Sequence, residues 1–148
     1  MPCGFNTKYV EWKIWIEKFI PYLNDEVILI GHSLGGIFLA KYLSENKFPV
    51  RASQLHLVSA PSENNDDESG ETEKYVLGDF SLCKSLEGIA NQVDKVFLYH
   101  SKDDDIVPFN NLEKYKKELP DAKVEIFEDR GHFVVEEFPE IIINIRSY

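Results

Sequence analysis

Val27-Ile28-Leu29-Ile30-Gly31-His32-Ser33-Leu34-Gly35-Gly36 decides how this chain is read. Val27 to Ile30 is a short, unbroken apolar run rich in β-branched side chains, which suits a strand buried on both faces of a parallel sheet. Gly31 to Gly36 is a glycine-rich turn. Ile37 to Ser44 then reads as a helix that offers Ile37, Phe38, Ala40 and Leu43 for packing. Within the turn, Gly31 to Gly35 match the pattern G-x-S-x-G. Glycine and serine are each about 7% of residues, so a chance match in a chain of this length arises about one time in twenty. The context adds what the pattern lacks. A sharp strand-to-helix turn exposes a serine hydroxyl, and small residues two positions on either side let the turn close without a clash. The helix N-terminus behind it stabilises developing negative charge, and the Leu34 N–H is placed to donate to an oxyanion. Ser33 is therefore the candidate nucleophile.

Upstream of this stretch, Trp12, Ile16, Phe19, Ile20 and Leu23 recur at helical spacing from Asn6 to Leu23, with Asn6 or Thr7 as the cap and Pro21 as an end or kink. Downstream, Leu55 to Ser59, Lys95 to His100 and Lys123 to Phe127 read as strands, the last with a clear period of two. Helices are expected around Asn111 to Leu119, stopped by Pro120, and over Glu140 to Ser147. The acidic stretch 62–73 reads as a solvated surface loop without calcium-loop spacing. The segment after it, through Tyr75, Phe80 and Leu82, is a candidate cover for the site. Strand and helix alternate, with no internal repeat. That alternation predicts right-handed βαβ units in a three-layer α/β/α sandwich with a mainly parallel sheet, one domain over residues 1–148.

A serine hydroxyl is a poor nucleophile and needs a base. In a strand–turn–helix setting of this kind the partners follow in the chain order Ser, Asp/Glu, His. The chain has four histidines. His32 lies inside the turn and is expected to pack or bond locally. His56 falls within a strand and reads as structural. His100 ends a strand but precedes any acid in the loop that follows. His132, in Asp129-Arg130-Gly131-His132-Phe133, follows the last strand, and the glycine before it frees the loop to aim the imidazole; it is the candidate base. The acid must come from the loop His100-Ser101-Lys102-Asp103-Asp104-Asp105-Ile106-Val107-Pro108. Asp103, Asp104 and Asp105 compete there, and spacing does not choose among them.

Composition narrows the partners. A chain of 148 residues suffices for one packed domain, and 43% hydrophobic with 28% charged residues is an ordinary globular balance. A formal net charge of −10 argues against a nucleic-acid or anionic-membrane partner, because both demand a basic surface. The two cysteines, Cys3 and Cys83, stand in no metal or CxxC spacing and read as reduced thiols. No apolar run is long enough to span a bilayer, no signal-peptide pattern is present, and Asn-x-Ser/Thr is absent. The expectation is a soluble, cytoplasmic protein with no metal and no organic cofactor.

These residues resemble the α/β-hydrolase superfamily and, within it, the small serine hydrolases related to retinoblastoma-binding protein 9. The likeness runs from about Pro2 to the end of the chain. Its anchors are Gly-His-Ser-Leu-Gly-Gly at 31–36, Asp-x-x-Val-Pro at 104–108 and Gly-His-Phe at 131–133. The Glu11-Trp12 stretch is similar to the family helix that precedes the nucleophile strand. The resemblance implies Asp104 as the acid, with Asp103 and Asp105 as neighbours that raise its pKa by like-charge repulsion. The family often has a glycine where this chain has Ser101. Family members also begin with two further strands, and the loop after the first carries a His-Gly-type motif that supplies a second oxyanion donor. This chain opens at Met1-Pro2-Cys3-Gly4, close to the first predicted helix. The resemblance thus implies an N-terminally truncated scaffold with an open sheet edge, which favours self-association as a homo-oligomer. It also implies a half-built oxyanion hole, and losing one donor lowers the rate by about 10²–10³.

The function expected is hydrolysis of a small-molecule ester, thioester or amide through an acyl-enzyme. Ser33 attacks, His132 takes its proton, Asp104 orients His132, and the Leu34 N–H binds the oxyanion. The alternative is an impaired or non-catalytic binding module on the same scaffold. Acyl transfer or haloperoxidation is a weaker third, since fold does not fix reaction class. Haloalkane dehalogenation is disfavoured, since its nucleophile is a carboxylate where this chain has Ser33.

Overall fold

The alternation of apolar runs and amphipathic segments resolves into a parallel sheet with helices on both faces in a computed structural model, which describes residues 8–65 and 75–147. Strands β1 (Ile28–His32), β2 (Ala52–Val58), β3 (Val93–Ser101) and β4 (Lys123–Phe127) are neighbours in that order, and every pairing is parallel. A parallel pair cannot be joined by a hairpin, so each step needs a crossover. Helix α2 (Leu34–Glu45) carries the chain from β1 to β2, two 3₁₀ turns lie on the way from β2 to β3, and α3 (Asn110–Glu118) leads from β3 to β4. Helix α1 (Tyr9–Glu17) precedes β1, and α4 (Pro139–Arg146) follows β4.

Successive side chains of a strand point to opposite faces, and the core divides accordingly. Leu55, Leu57 and Leu98 join Ile37, Phe38 and Leu43 of α2 and Leu112 and Tyr115 of α3 in the larger cluster. Burying each such side chain contributes about 1.5–3 kcal/mol. Phe97, Tyr99 and Val58 face the other way, where Phe133, Phe138 and Ile141 cover them. Beneath α4 that second face is partly polar. Asn144 Nδ2 donates to the Tyr99 hydroxyl at 3.0 Å, and Tyr99 donates to His56 Nδ1 at 2.8 Å. His56 Nε2–H donates to Gln54 Oε1 at 2.7 Å. Gln54 Nε2 returns to the backbone carbonyls of Asn144 and Ile145 at 3.5 Å. Asn144, Tyr99, His56 and Gln54 thereby each find a partner, which such burial requires.

The helix read from Asn6 to Leu23 is realised as α1 followed by a 3₁₀ turn at Ile20–Tyr22. Pro21 has no N–H to donate to the helical ladder, so a regular helix does not continue through it. The cap expected at Asn6 or Thr7, and Cys3, lie outside the described residues. Phe80, in the segment expected over the site, packs against Tyr9, Trp12 and Phe38 of α1 and α2. Among the described residues no helix is long and apolar enough to cross a membrane.

Candidate active site

Ser33 stands where β1 turns into α2. Its N–H donates to Val58 O at 2.8 Å, closing the ladder onto β2. Its carbonyl accepts from the N–H groups of Gly36 and Ile37 at 2.9 and 3.3 Å, opening the helix. The two duties leave the residue at φ 51°, ψ −122°, a backbone conformation costly for any side chain bearing a Cβ. Such strain persists only where the surroundings over-determine it, and here they do. A Cβ on Gly31 would lie 2.5 Å from Gly35 O and 2.7 Å from Gly36 Cα. One on Gly36 would lie 2.6 Å from the Ala60 Cβ. The expectation that Gly35 is needed for closure is corrected: a Cβ there meets open space. The tight pair is Gly31 and Gly36. Ser33 itself is half-buried, and Leu34 is the first residue of α2, so its N–H has no acceptor within the helix.

The candidate acid and base sit on the loops after β3 and β4. Asp104 Oδ1 accepts from the N–H groups of Ile106 and Val107 at 3.0 and 2.8 Å. These bonds from two and three residues ahead give the Asp-x-x-Val spacing a local physical reason. The Asp104 side chain is wholly buried, and its two oxygens lie 3.1 and 3.0 Å from His132 Nδ1. Burial alone would raise the Asp104 pKa. The hydrogen bonds from His132 and the Val107 N–H, the nearby Ser59 hydroxyl and the charge of His132 outweigh it and hold the carboxyl below its ordinary range. The expected rise from neighbouring aspartates is therefore corrected. Asp103 turns away to Gly131 N–H, at 2.9 Å, and to Ser101 Oγ, at 2.5 Å. His100 stands behind the acid, its Nε2 3.7 Å from Asp104 Oδ2 and donating to Val107 O at 2.9 Å; burial keeps it neutral by lowering its pKa.

His32 was expected to bond locally, and it reaches across the site instead. Its Nε2–H donates to the backbone carbonyl of His132 at 2.7 Å, and the two rings lie 4.7 Å apart. The chain neighbour of Ser33 thus touches His132. Among the described residues no hydrogen bond joins Ser33 Oγ to His132; such bonds are often long before substrate arrives. The structure therefore brings Asp104 and His132 into contact, and ties His32, which precedes Ser33 in the chain, to the His132 carbonyl. Sequence reasoning missed the His32 contact and the Asp103–Ser101 bond. Only the second had a signal, an acceptor two residues after a hydroxyl in the chain. A concavity of about 800 Å³ lies at the opposite end of the sheet, lined by Val93, Lys95, Phe97, Leu119 and Lys123. It contains none of these groups, so chemistry rather than size picks out the site. Among the described residues no cluster of three His, Cys, Asp or Glu could hold a metal ion.

Comparison with known proteins identifies the family and the fold. The family model for serine hydrolases matches residues 6–140. The chain is 29% identical over 147 residues to the serine hydrolase RBBP9 of Rattus norvegicus, covering 99% of this chain and 74% of that one. Among solved structures, the ydeN gene product from B. subtilis superposes with a TM-score of 0.81 at 19% identity, over 100% of this chain and 80% of that one. An esterase from Exiguobacterium antarcticum gives 0.61 at 20% identity, over 95% and 72%. At such identities the two structures speak for the α/β-hydrolase fold alone. Taken with the family match over most of its length, they place the chain: it belongs to the serine hydrolase family, enzymes that hydrolyse through an activated serine.

Proposed function

We propose that the enzyme cleaves small-molecule carboxylic esters or thioesters with Ser33 as nucleophile, His132 as base and Asp104 as orienting acid. The observation that carries this reading is the bond from His132 Nδ1–H to buried, ionised Asp104, on a residue whose backbone is tied to the neighbour of Ser33. With its proton fixed at Nδ1, the imidazole presents a lone pair at Nε2. That lone pair takes the Ser33 hydroxyl proton as Oγ bonds to the substrate carbonyl carbon. The electron pair displaced onto the carbonyl oxygen faces the free N–H of Leu34 and the positive end of α2. Collapse expels the alkoxide or thiolate, which takes the proton back from Nε2. Water, deprotonated by the same nitrogen, then releases the acid and restores Ser33.

A fluorophosphonate probe tests the nucleophile directly. The native enzyme should be labelled once, at Ser33, and Ser33→Ala should lose both labelling and turnover of p-nitrophenyl acetate, by up to about 10⁶-fold. Labelling that survives in Ser33→Ala would remove Ser33 from the role.

A further inference from the structure

Asp104 and Asp103, adjacent in sequence, have separate partners: Asp104 meets the His132 ring, and Asp103 holds the backbone directly before it. Asp103 Oδ1 accepts from the Gly131 N–H at 2.9 Å and from Ser101 Oγ at 2.5 Å. Ser101 is fully buried, and while its hydroxyl donates to Asp103 its oxygen accepts from the Arg130 N–H at 3.0 Å. Two successive amides, directly before His132, are therefore bracketed by one pair of side chains. The segment they steady needs it. Gly131 and Phe133 both have positive φ, at 52° and 54°, so the base sits between two backbone reversals. The bracket and the acid come from one short stretch at the end of β3: Ser101 holds the amide of Arg130, Asp103 that of Gly131, and Asp104 the ring of His132. Lys102 N–H, between them, adds a bond to Phe127 O at 2.8 Å.

We propose that Asp103, acting with Ser101, is a positioning residue for the hydrolysis. It fixes the height and angle at which His132 meets Ser33, and it does so without touching substrate. The inference rests on the reading of His132 as the base. The two hydrogen bonds, from Ser101 first and Gly131 second, hold the Asp103 carboxyl below its ordinary range, so the bracket stays ionised into mild acid. Misplacing a catalytic group by about 1 Å lowers a rate by about 10²-fold, which sets the scale of the effect.

The experiment compares Asp103→Ala, Asp103→Asn and Ser101→Ala with the native enzyme and with Ser33→Ala. Turnover is read on p-nitrophenyl acetate, and the low-field proton on His132 Nδ1 is read by NMR. Asp103→Ala and Ser101→Ala should each lower kcat by about 10- to 100-fold with KM within about twofold. The double variant should be no worse than either single one, because the pair acts as a unit. Asparagine keeps an acceptor for both donors, so Asp103→Asn should recover most of the rate. The Nδ1 proton should broaden or vanish in Asp103→Ala, persist in Asp103→Asn, and persist in Ser33→Ala. Unchanged turnover and an unchanged Nδ1 proton in Asp103→Ala would overturn the proposal, as would an asparagine variant as poor as alanine. Turnover that survives in Ser33→Ala would instead sink the nucleophile assignment, and the NMR readout would still judge Asp103.

Discussion

Ser33 is held by backbone packed on backbone, whereas His132 is held by hydrogen bonds from side chains 28 residues away in sequence. On the Ser33 side the essential feature is missing atoms. Gly31 and Gly36 carry no Cβ, and the strand can therefore fold back on the helix it feeds. On the His132 side the essential feature is added atoms: two carboxylates, a hydroxyl and two run-on amides that knit the end of β3 to the loop after β4. Steric construction is local and intolerant. Hydrogen-bonded construction is long-range and graded, since each bond is worth about 0.5–1.5 kcal/mol, more where a charge takes part. The contrast predicts which substitutions abolish function and which only weaken it.

The largest effect belongs to the buried carboxylate of the His132 side. Asp104→Asn should lower kcat by about 10⁴-fold, because an amide no longer enforces the productive tautomer of His132 or stabilises the imidazolium. Asp105→Asn, at an exposed residue without a hydrogen bond to the base loop, should stay within about threefold. Steady-state kinetics on one ester decide the matter. Equal losses would mean that the acid has been placed on the wrong carboxylate.

Next comes the elbow. Gly31→Ala drives a Cβ into the backbone of Gly35 and Gly36, which no rotamer change can relieve. The expected outcome is a stability loss of about 1–3 kcal/mol or more and loss of fluorophosphonate labelling. Gly35→Ala meets open space and should leave the denaturation midpoint unchanged or slightly raised, as alanine favours the helix. Should the two glycines behave alike in urea unfolding, backbone contact is not what shapes the turn.

A third effect separates the two sides by pH. The base loop runs on into α4, and α4 is bound to the sheet through the circuit that contains His56. Burial pushes the His56 pKa down to about 4, against about 6.5 in an unfolded chain. Above pH about 6.5 both states are neutral and the stability is whole. As the pH falls from there toward about 4 the unfolded chain takes up a proton that the folded one refuses, so stability drops, by about 3 kcal/mol at most. Protonated His56 would also present a second N–H to the Tyr99 hydroxyl, which now donates to it. Urea unfolding from pH 7 to 4 should show this decline, and His56→Phe should flatten it. A native and a variant enzyme with parallel pH profiles would exclude His56 as the cause.

The same contrast explains what could be read from the chain before its structure. The elbow was legible because its cause is local: an apolar run, Gly31, Ser33 and a helix, all within a few residues. The strands and their parallel order followed from runs such as Val27 to Ile30 and from strand–helix alternation. Asp104 was not legible from spacing, because three carboxylates stand side by side and only the fold shows which faces the imidazole. The bracket at Arg130 and Gly131 lay further out of reach, since it pairs side chains with backbone amides, which carry no mark in a sequence. Gly35 misled for a related reason. The motif counts it, but the clash that matters falls on its neighbour, Gly36, against Ala60.

The smallest effect lies where the two sides touch. His32 belongs to the elbow by sequence but donates to the carbonyl of His132. Burial, ahead of the opposing pull of that carbonyl, lowers its pKa and keeps it a neutral donor near neutral pH. His32→Phe keeps a ring against His132 and removes the hydrogen bond. One such bond at a solvent-exposed position is worth about 1 kcal/mol, so kcat/KM should fall by about three- to tenfold. His32→Gln, which restores an N–H of similar reach, should recover most of that. A rise in KM alone would move His32 from holding the base to holding substrate. A loss of about 10³-fold or more in His32→Phe would exceed what one neutral hydrogen bond supplies. It would mean that a proton passes through His32, that the elbow carries its own base, and that the division between a steric side and a hydrogen-bonded side does not describe this enzyme.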